Sequence, residues 1–267
     1  MIPESLKWAL LEAADRVYED GSWSSNFSLA IQKLDTASHF QERKSAAAHI
    51  QKLLLLVETL IPDSIWSLFE RFMQTWLQSD YFIHPSSVAD IGAQIGSGTK
   101  IWHFSHIMAG AKIGKQCNLG QNVLVSNDVV LGNNVKVQNN VSLYTGVVCH
   151  DDVFLGPSVV LTNVINPRSA IVRKDAYQST EIGKGASIGA NATLICGNNI
   201  GAFAFVGAGT VVTKEVPAYA MVIGNPAKQT AWMGAAGYKL VEMDNDIFQC
   251  PVTGEKYEIL GSSLQKL

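Results

Sequence analysis

Ile101-Trp-His-Phe-Ser-His-Ile107-Met-Ala-Gly-Ala-Lys-Ile113-Gly-Lys-Gln-Cys-Asn-Leu119-Gly-Gln-Asn-Val-Leu-Val125-Ser-Asn-Asp-Val-Val-Leu131-Gly-Asn-Asn-Val-Lys-Val137 places an aliphatic residue at every sixth position. Stepping outward by six, the series runs from Ile83 through Ala89 and Ile95 to Leu143, Cys149, Leu155 and Leu161. It breaks there and resumes at Ile182, Ile188, Leu194, Ile200, Val206 and Val212; eighteen of these twenty positions are Ile, Leu or Val. Four residues after each lies a small or β-branched residue, such as Thr99, Ser105, Ala111, Cys117, Val123 or Ala186. Glycine often follows the aliphatic residue, as at Gly114, Gly120, Gly132 and Gly189. No helix or ordinary hairpin has a period of six. A six-residue period is that of a solenoid, whose units bury their apolar side only by stacking on one another. Three hexads close one triangular coil, so residue i lies beneath residue i+18, with glycine and asparagine relieving the backbone at the corners.

Residues 1–80 carry a different period. Ile65, Leu68, Phe69, Phe72, Met73 and Trp76 form an amphipathic stripe, with Asp63 or Ser64 as cap after Pro62. Earlier helices are expected at about 3–18 and 40–60, separated by Gly21-Ser22-Trp23-Ser24-Ser25. The expected organisation is an α-helical region 1–80, a β-helix 81–216 with an inserted loop 162–181, and a C-terminal tail 217–267. Leu and aromatic residues at helical spacing read as core or interface, so the first region is assigned no chemistry.

The totals narrow the function. The 267 residues carry a net charge of −3 and only 16% charged residues, which offers no broad basic surface for nucleic acid. The apolar run Leu53 to Val57 is too short for a bilayer and is flanked by Lys52 and Glu58. Cys117, Cys149, Cys196 and Cys250 are widely spaced, and no basic, apolar leader opens the chain; a reducing cytoplasm is the expected location.

The eighteen-residue rule maps the corners. The first stacks Trp102-His103-Phe104, Gly120-Gln121-Asn122, Gln138-Asn139-Asn140 and Gly156-Pro157-Ser158. The second stacks Met108-Ala109-Gly110, Ser126-Asn127-Asp128, Tyr144-Thr145-Gly146 and Thr162-Asn163-Val164. The third, with Gly114-Lys115-Gln116 and His150-Asp151-Asp152, reads as a solvated charged edge. Uncharged hydrogen-bonding groups beside aromatic rings suit a sugar and a flat base, though Asn at a corner also serves left-handed backbone angles. The break between Thr162 and Glu181 reads as a functional or a disordered loop; its Arg168, Arg173 and Lys174 could meet a diphosphate or a carboxylate, or pair with Asp175 and Glu181 in a solvated loop.

The aliphatic–glycine–x–x–small rule over about 83–228 resembles the hexapeptide-repeat acyltransferases. More narrowly, Ile101-Trp-His-Phe-Ser-His106, Leu119-Gly-Gln-Asn-Val123, Val137-Gln-Asn-Asn-Val-Ser142, Thr162-Asn-Val-Ile-Asn-Pro-Arg-Ser169, Gly189-Ala-Asn-Ala-Thr193 and Val222-Ile-Gly-Asn-Pro-Ala-Lys228 resemble nucleotide-linked 3-amino-sugar N-acetyltransferases. The resemblance implies a mainly β chain built on a left-handed parallel β-helix, assembled as a homotrimer with sites in the clefts between prisms. It implies acetyl-CoA as co-substrate and a UDP- or dTDP-linked amino sugar, for surface polysaccharide, as acceptor. On matching positions, Asn163 would orient the amine, and Gln138, Asn139, Asn140, Tyr144 and Thr145 would lie near the sugar nucleotide. Gly189, Ala190, Gly207 and Ala208 would run beside pantetheine, with Lys214 and Lys228 as candidates for the CoA phosphates.

The chain departs from that pattern at Thr145, where many relatives carry an acid, and at Ala176, where they have Glu. It departs again at Ala235-Ala236, where relatives often show cysteine near Cys250-Pro-Val-Thr-Gly-Glu-Lys-Tyr257; a metal knuckle is not expected. His106 is the competing candidate for a general base. Two other function classes use the same repeat: a zinc carbonic anhydrase-like trimer, for which His84, His103, His106 and His150 supply the element, and a non-catalytic trimeric scaffold.

Overall fold

The computed structural model describes residues 27–30, 32, 49–50, 52–53, 81–84, 86–244, 246–261 and 263–267, in two compact units, 1–85 and 86–267. In the first unit, residues 27–30, 32, 49–50 and 52–53 are helical, and Phe27, Ala30 and Ile50 are buried; a strand spans Phe82–Ile83. The remaining helices expected within 1–80, including the stripe from Ile65 to Trp76, lie outside the described residues.

The second unit is a parallel β-solenoid with three faces. The first face runs from Lys100–Ile101 through Asn118–Leu119, Lys136–Val137, Phe154–Leu155, Ser187–Ile188 and Phe205–Val206 to Ala220–Ile223. The second runs from Val88–Ala89 to Val211–Val212, and the third from Gln94–Ile95 to Thr180–Ile182. Strands are mostly two residues long, and neighbours pair in register at the expected spacing: Lys136 opposite Asn118, Leu143 opposite Val125. Across the break the spacing lengthens to 33, Val160 opposite Thr193 and Leu155 opposite Ile188, and past it returns to 18, Ser187 opposite Phe205. The difference from 18 leaves fifteen residues outside the coil, and the three-fold phase is kept.

The hexad aliphatics form the core: Ile101, Ile107, Leu119, Val125, Val137, Leu143, Leu155, Ile188, Leu194, Val206 and Val212 are fully buried. The small positions are buried too, and early in the solenoid they carry hydroxyls with a defined task. Thr99 Oγ1 donates to Gly114 O (2.8 Å) and accepts from Cys117 N (3.0 Å); Ser105 Oγ donates to Gly120 O (2.9 Å) and accepts from Val123 N (3.1 Å). Each satisfies a main-chain carbonyl and an amide of the next coil that would otherwise be orphaned at a bend.

The corners divide two backbone demands that the sequence reading merged. The left-handed residue is the third of each corner: Gln116, Asn122, Asp128, Asn134, Asn140, Asp152, Ser158 and Asn191 have φ between 55° and 66°, and glycine fills the role at Gly98 and Gly110. The glycine that follows the aliphatic residue serves close approach instead. A Cβ on Gly114 would stand 2.4 Å from Gly132 O, and one on Gly189 2.5 Å from Ala208 N.

Beyond the last coil the chain turns back on itself. Ala220–Ile223 pairs antiparallel with Lys228–Trp232, and the intervening turn bonds the second face, with Val211 N donating to Gly224 O and Ala227 N to Val211 O. The tail is a four-stranded antiparallel sheet of Val241–Glu242, Ile247–Gln249, Lys256–Leu260 and Ser263–Lys266 over Leu240, Cys250, Tyr257 and Leu264. At the position where relatives often show cysteine, Ala235 N donates to the Tyr257 hydroxyl (2.9 Å), which in turn donates to Glu255 (3.0 Å). Lys266 pairs with Glu255 and, with Tyr257, holds that carboxyl below the ordinary range.

Two outcomes are expected. Gly114→Ala brings a methyl group against fixed backbone and lowers stability by about 1–3 kcal/mol, read as a lower thermal midpoint. Burial pushes the Cys149 thiol up to about 12. At pH 8 it is therefore protonated in the folded chain, and peptide mapping after iodoacetamide should find it unmodified until denaturant is added.

Candidate functional site

The first corner is a continuous track up the solenoid. Asn122 N donates to His103 O, Asn140 N to Gln121 O, Ser158 N to Asn139 O, Asn191 N to Pro157 O and Gly209 N to Ala190 O, each at 2.8–3.0 Å. The candidates Gln138, Asn139, Asn140, Gly189, Ala190, Gly207 and Ala208 thus share one edge, amides below and small residues above. Their side chains are not equivalent. Asn139 Oδ1 is committed to Gln121 N (2.9 Å), and Asn140 Oδ1 accepts from Asn122 Nδ2 (3.1 Å). Gln138, half-buried, makes no side-chain hydrogen bond among the described residues.

The second corner holds Tyr144, Thr145 and Asn163, separated from the first by the width of the second face. Tyr144 is exposed. The Thr145 hydroxyl donates to Asn127, to its main-chain O (3.2 Å) and Oδ1 (3.3 Å). Asn163 opens the inserted loop, and its carbonyl accepts from Gln178 N (2.9 Å), which clasps the loop at its base. Its own carboxamide, half-buried, has no partner among the described residues.

Within the loop, Arg168 is exposed and bridged to Ile171, Arg173 precedes a short 3₁₀ turn at Lys174–Ala176, and the Arg173 Nε is buried without a hydrogen-bond partner among the described residues. Ile165, Ile171, Val172 and Tyr177 are exposed. Lys214 and Lys228 are both exposed, one past the last strand of the second face and one opening the return strand. His106 projects from the second face with Nε2 3.0 Å from Asp90 Oδ1, and Asp90 Oδ2 also accepts from Ala109 N (3.3 Å). It stands three rungs below the level of Asn163, about 14 Å along the axis. His150 pairs with Glu181 at the third corner. Among the described residues, no three His, Cys, Asp or Glu side chains converge as a metal set.

Sequence reasoning missed Asp90 as the partner of His106. The signal was available: Asp90 is one coil below Met108, and His106 is two residues before it. The stack set Asn127 one coil below Thr145, but not the hydrogen bond that turns the Thr145 hydroxyl onto it.

Comparison with known proteins places these features in company. The repeats match the bacterial transferase hexapeptide family (six repeats) over residues 92–127, and the hexapeptide repeat of succinyl-transferase over 110–145 and 180–214. A dTDP-3-amino-3,6-dideoxy-alpha-D-galactopyranose 3-N-acetyltransferase of Aneurinibacillus thermoaerophilus is 41% identical over 187 residues, covering 70% of this chain and 95% of the relative. Serine acetyltransferase 2 of Arabidopsis thaliana is 36% identical over 84 residues, 32% of this chain and 26% of that one, so that likeness stops at a few coils. Among solved structures, a mutant of perosamine N-acetyltransferase from Caulobacter crescentus, in complex with CoA and GDP-perosamine, is 23% identical with a TM-score of 0.31, over 62% of this chain and 63% of that one. A mutant N-acyltransferase from Bacillus cereus, in complex with dTDP and coenzyme A, is 14% identical with a TM-score of 0.39, over 57% and 81%.

Proposed function

The chain belongs to the nucleotide-linked 3-amino-sugar N-acetyltransferases of the hexapeptide-repeat family, and from that premise we propose that it transfers acetyl from acetyl-CoA to the C3 amine of a UDP- or dTDP-linked amino sugar. The observation that carries this reading is the 41% identity over 95% of the relative's length, a span that includes more than the repeat itself. The product feeds surface polysaccharide synthesis.

The solenoid winds left-handed and the active unit is a homotrimer. Two features support the assembly. The outward column of the second face, Val88, His106, Leu124, Ser142, Val160, Thr193 and Val211, carries no Lys, Arg, Asp or Glu, whereas the first face presents Lys100 and Lys136 and the third Lys112 and Glu181. The loop also exposes Ile165, Ile171 and Val172, an apolar tip suited to a neighbouring prism. A three-fold arrangement that sets the second corner of one chain opposite the first corner of the next joins Asn163 to the amide track. The four cysteines, all free and buried, and the use of acetyl-CoA favour the cytoplasm; no described helix is long and apolar enough to cross a membrane.

In the reaction, the neutral amine attacks the thioester carbonyl, a C–N bond forms, and the C–S bond breaks. A thioester is already activated, so most of the enzyme's work is alignment of two bound partners. Asn163 supplies it at the amine through its unsatisfied carboxamide. Gln138, Asn139, Asn140, Tyr144 and Thr145 flank the sugar nucleotide, and Arg168, Arg173 and Lys174 meet its anionic groups. The bare backbone at Gly189-Ala190 and Gly207-Ala208 leaves room for pantetheine, with Lys214 and Lys228 towards the CoA phosphates. The departing thiolate takes the proton that the amine loses, which leaves CoA as the thiol. Thr145 offers no carboxylate for that proton, and its hydroxyl is already turned to Asn127.

A thiol-release assay with acetyl-CoA and UDP- or dTDP-linked 3-amino sugars tests the reading. Asn163→Ala should lower kcat/KM roughly 10–100-fold with an unchanged thermal midpoint; full turnover in that variant removes Asn163 from the mechanism. His106→Asn should cost less than about tenfold. General bases contribute roughly 10²–10⁴-fold, so a loss in that range, with the disappearance of a near-neutral limb from the pH profile, would transfer the proton to His106.

A further inference from the structure

Among the described residues, three aromatic residues sit in the left-handed region of backbone space, which bulky side chains rarely occupy: Phe104 (φ 58°), Phe203 (φ 57°) and Tyr219 (φ 62°). Two of them have an evident compensation. Phe203 and Tyr219 stack at 5.2 Å and 13°, and Tyr219 meets Tyr257 edge-on at 5.4 Å, which ties the last coils to the tail sheet. Phe104 has nothing comparable. The residue is 69% exposed, and its ring meets the adjoining His103, tilted at 6.0 Å. Higher on the same edge the equivalent position is Asn122, Asn140, Ser158, Asn191 or Gly209, residues that suit the conformation. An uncompensated, exposed aromatic in a strained position points to a ligand, because strain persists where function holds it.

The surroundings say which ligand. Above Phe104 the edge is neutral and amide-rich as far as Asn140, two rungs or about 10 Å up. Lys100 and Lys136 are exposed on the strands that lead into the same corner, and no carboxylate belongs to the corner from Trp102 through Asn140. A flat ring below and amides above match a heterocyclic base and a sugar in that order, with Lys100 and Lys136 at the two levels to favour an anionic ligand. We propose that Phe104 is the stacking platform for the base of the nucleotide-linked sugar. The inference rests on the nucleotide-sugar reading above and adds the residue that grips the nucleotide. Stacking is tolerant of base identity because every base has a π-face.

The test uses the full-length chain with Phe104→Asn, which installs the residue found two coils above, and Phe104→Tyr, which keeps an aromatic face. Calorimetric titration with UDP and dTDP, KM for both substrates, the thermal midpoint and sedimentation are measured. Phe104→Asn should melt no lower than the parent, because its backbone is relieved, and bind the nucleoside diphosphate about tenfold more weakly. The loss should appear in KM for the nucleotide sugar and not in KM for acetyl-CoA, and Phe104→Tyr should restore binding. Unaltered nucleotide affinity in Phe104→Asn overturns the proposal, as does a loss confined to acetyl-CoA or to oligomeric state, which would make the ring a CoA or subunit contact. A parent chain that binds neither UDP nor dTDP and releases no thiol overturns the nucleotide-sugar reading, and this proposal with it.

Discussion

Successive coils of the solenoid are hydrogen-bonded to one another through short parallel strands at an eighteen-residue offset, which lengthens only across the inserted loop and shortens at the last pairing, Phe205 with Met221. That offset constrains everything else. It requires each corner to turn within three residues, which places the third in left-handed space, and it forces the first so close to the next coil that glycine recurs there. It also lines up equivalent side chains into columns. A function that needs several groups in a row can therefore be written along an edge, one residue per coil, with the spacing supplied by the backbone.

The inserted loop shows how firmly the offset is held. Fifteen residues leave the coil after Leu161 and the chain returns in phase, with Leu161 opposite Leu194. The clasp between Asn163 O and Gln178 N isolates the excursion from the rack beneath it. Asn163 gains from its place at that junction. Its main chain is tied into the clasp, and its side chain makes no hydrogen bond among the described residues.

The solenoid was legible because interior positions accept so few residue types: aliphatics at Ile101 through Val212 and small residues four places on admit no competing period. The corner stacks followed from counting alone, and the main-chain bonds from Asn122 to His103 and from Asn140 to Gln121 reproduce them. Outward side chains were less readable. Whether Thr145 faces a ligand or its neighbour Asn127, and whether His106 stands alone or beside Asp90, depends on rotamers that periodicity does not encode. The tail was read only as a tail. Its strands are short, mixed in polarity and joined by turns, and its order comes from long-range packing on Tyr257, to which local pattern is blind. The glycines after the aliphatic residues were ascribed to unusual backbone angles, when contact between coils is what demands them.

Stacked coils present a chemical hazard at the point where stacking stops, because the last strand of each face offers unpaired amides and carbonyls to any other strand that arrives. The return strand Lys228–Trp232 runs against the direction of every strand beneath it, and its turn also occupies Val211 on the second face. A further coil would meet, on the first face, a strand of opposite direction. The reversal thus punctuates the solenoid: it ends the run of parallel strands at Ala220–Ile223, and the register that each coil hands to the next stops there.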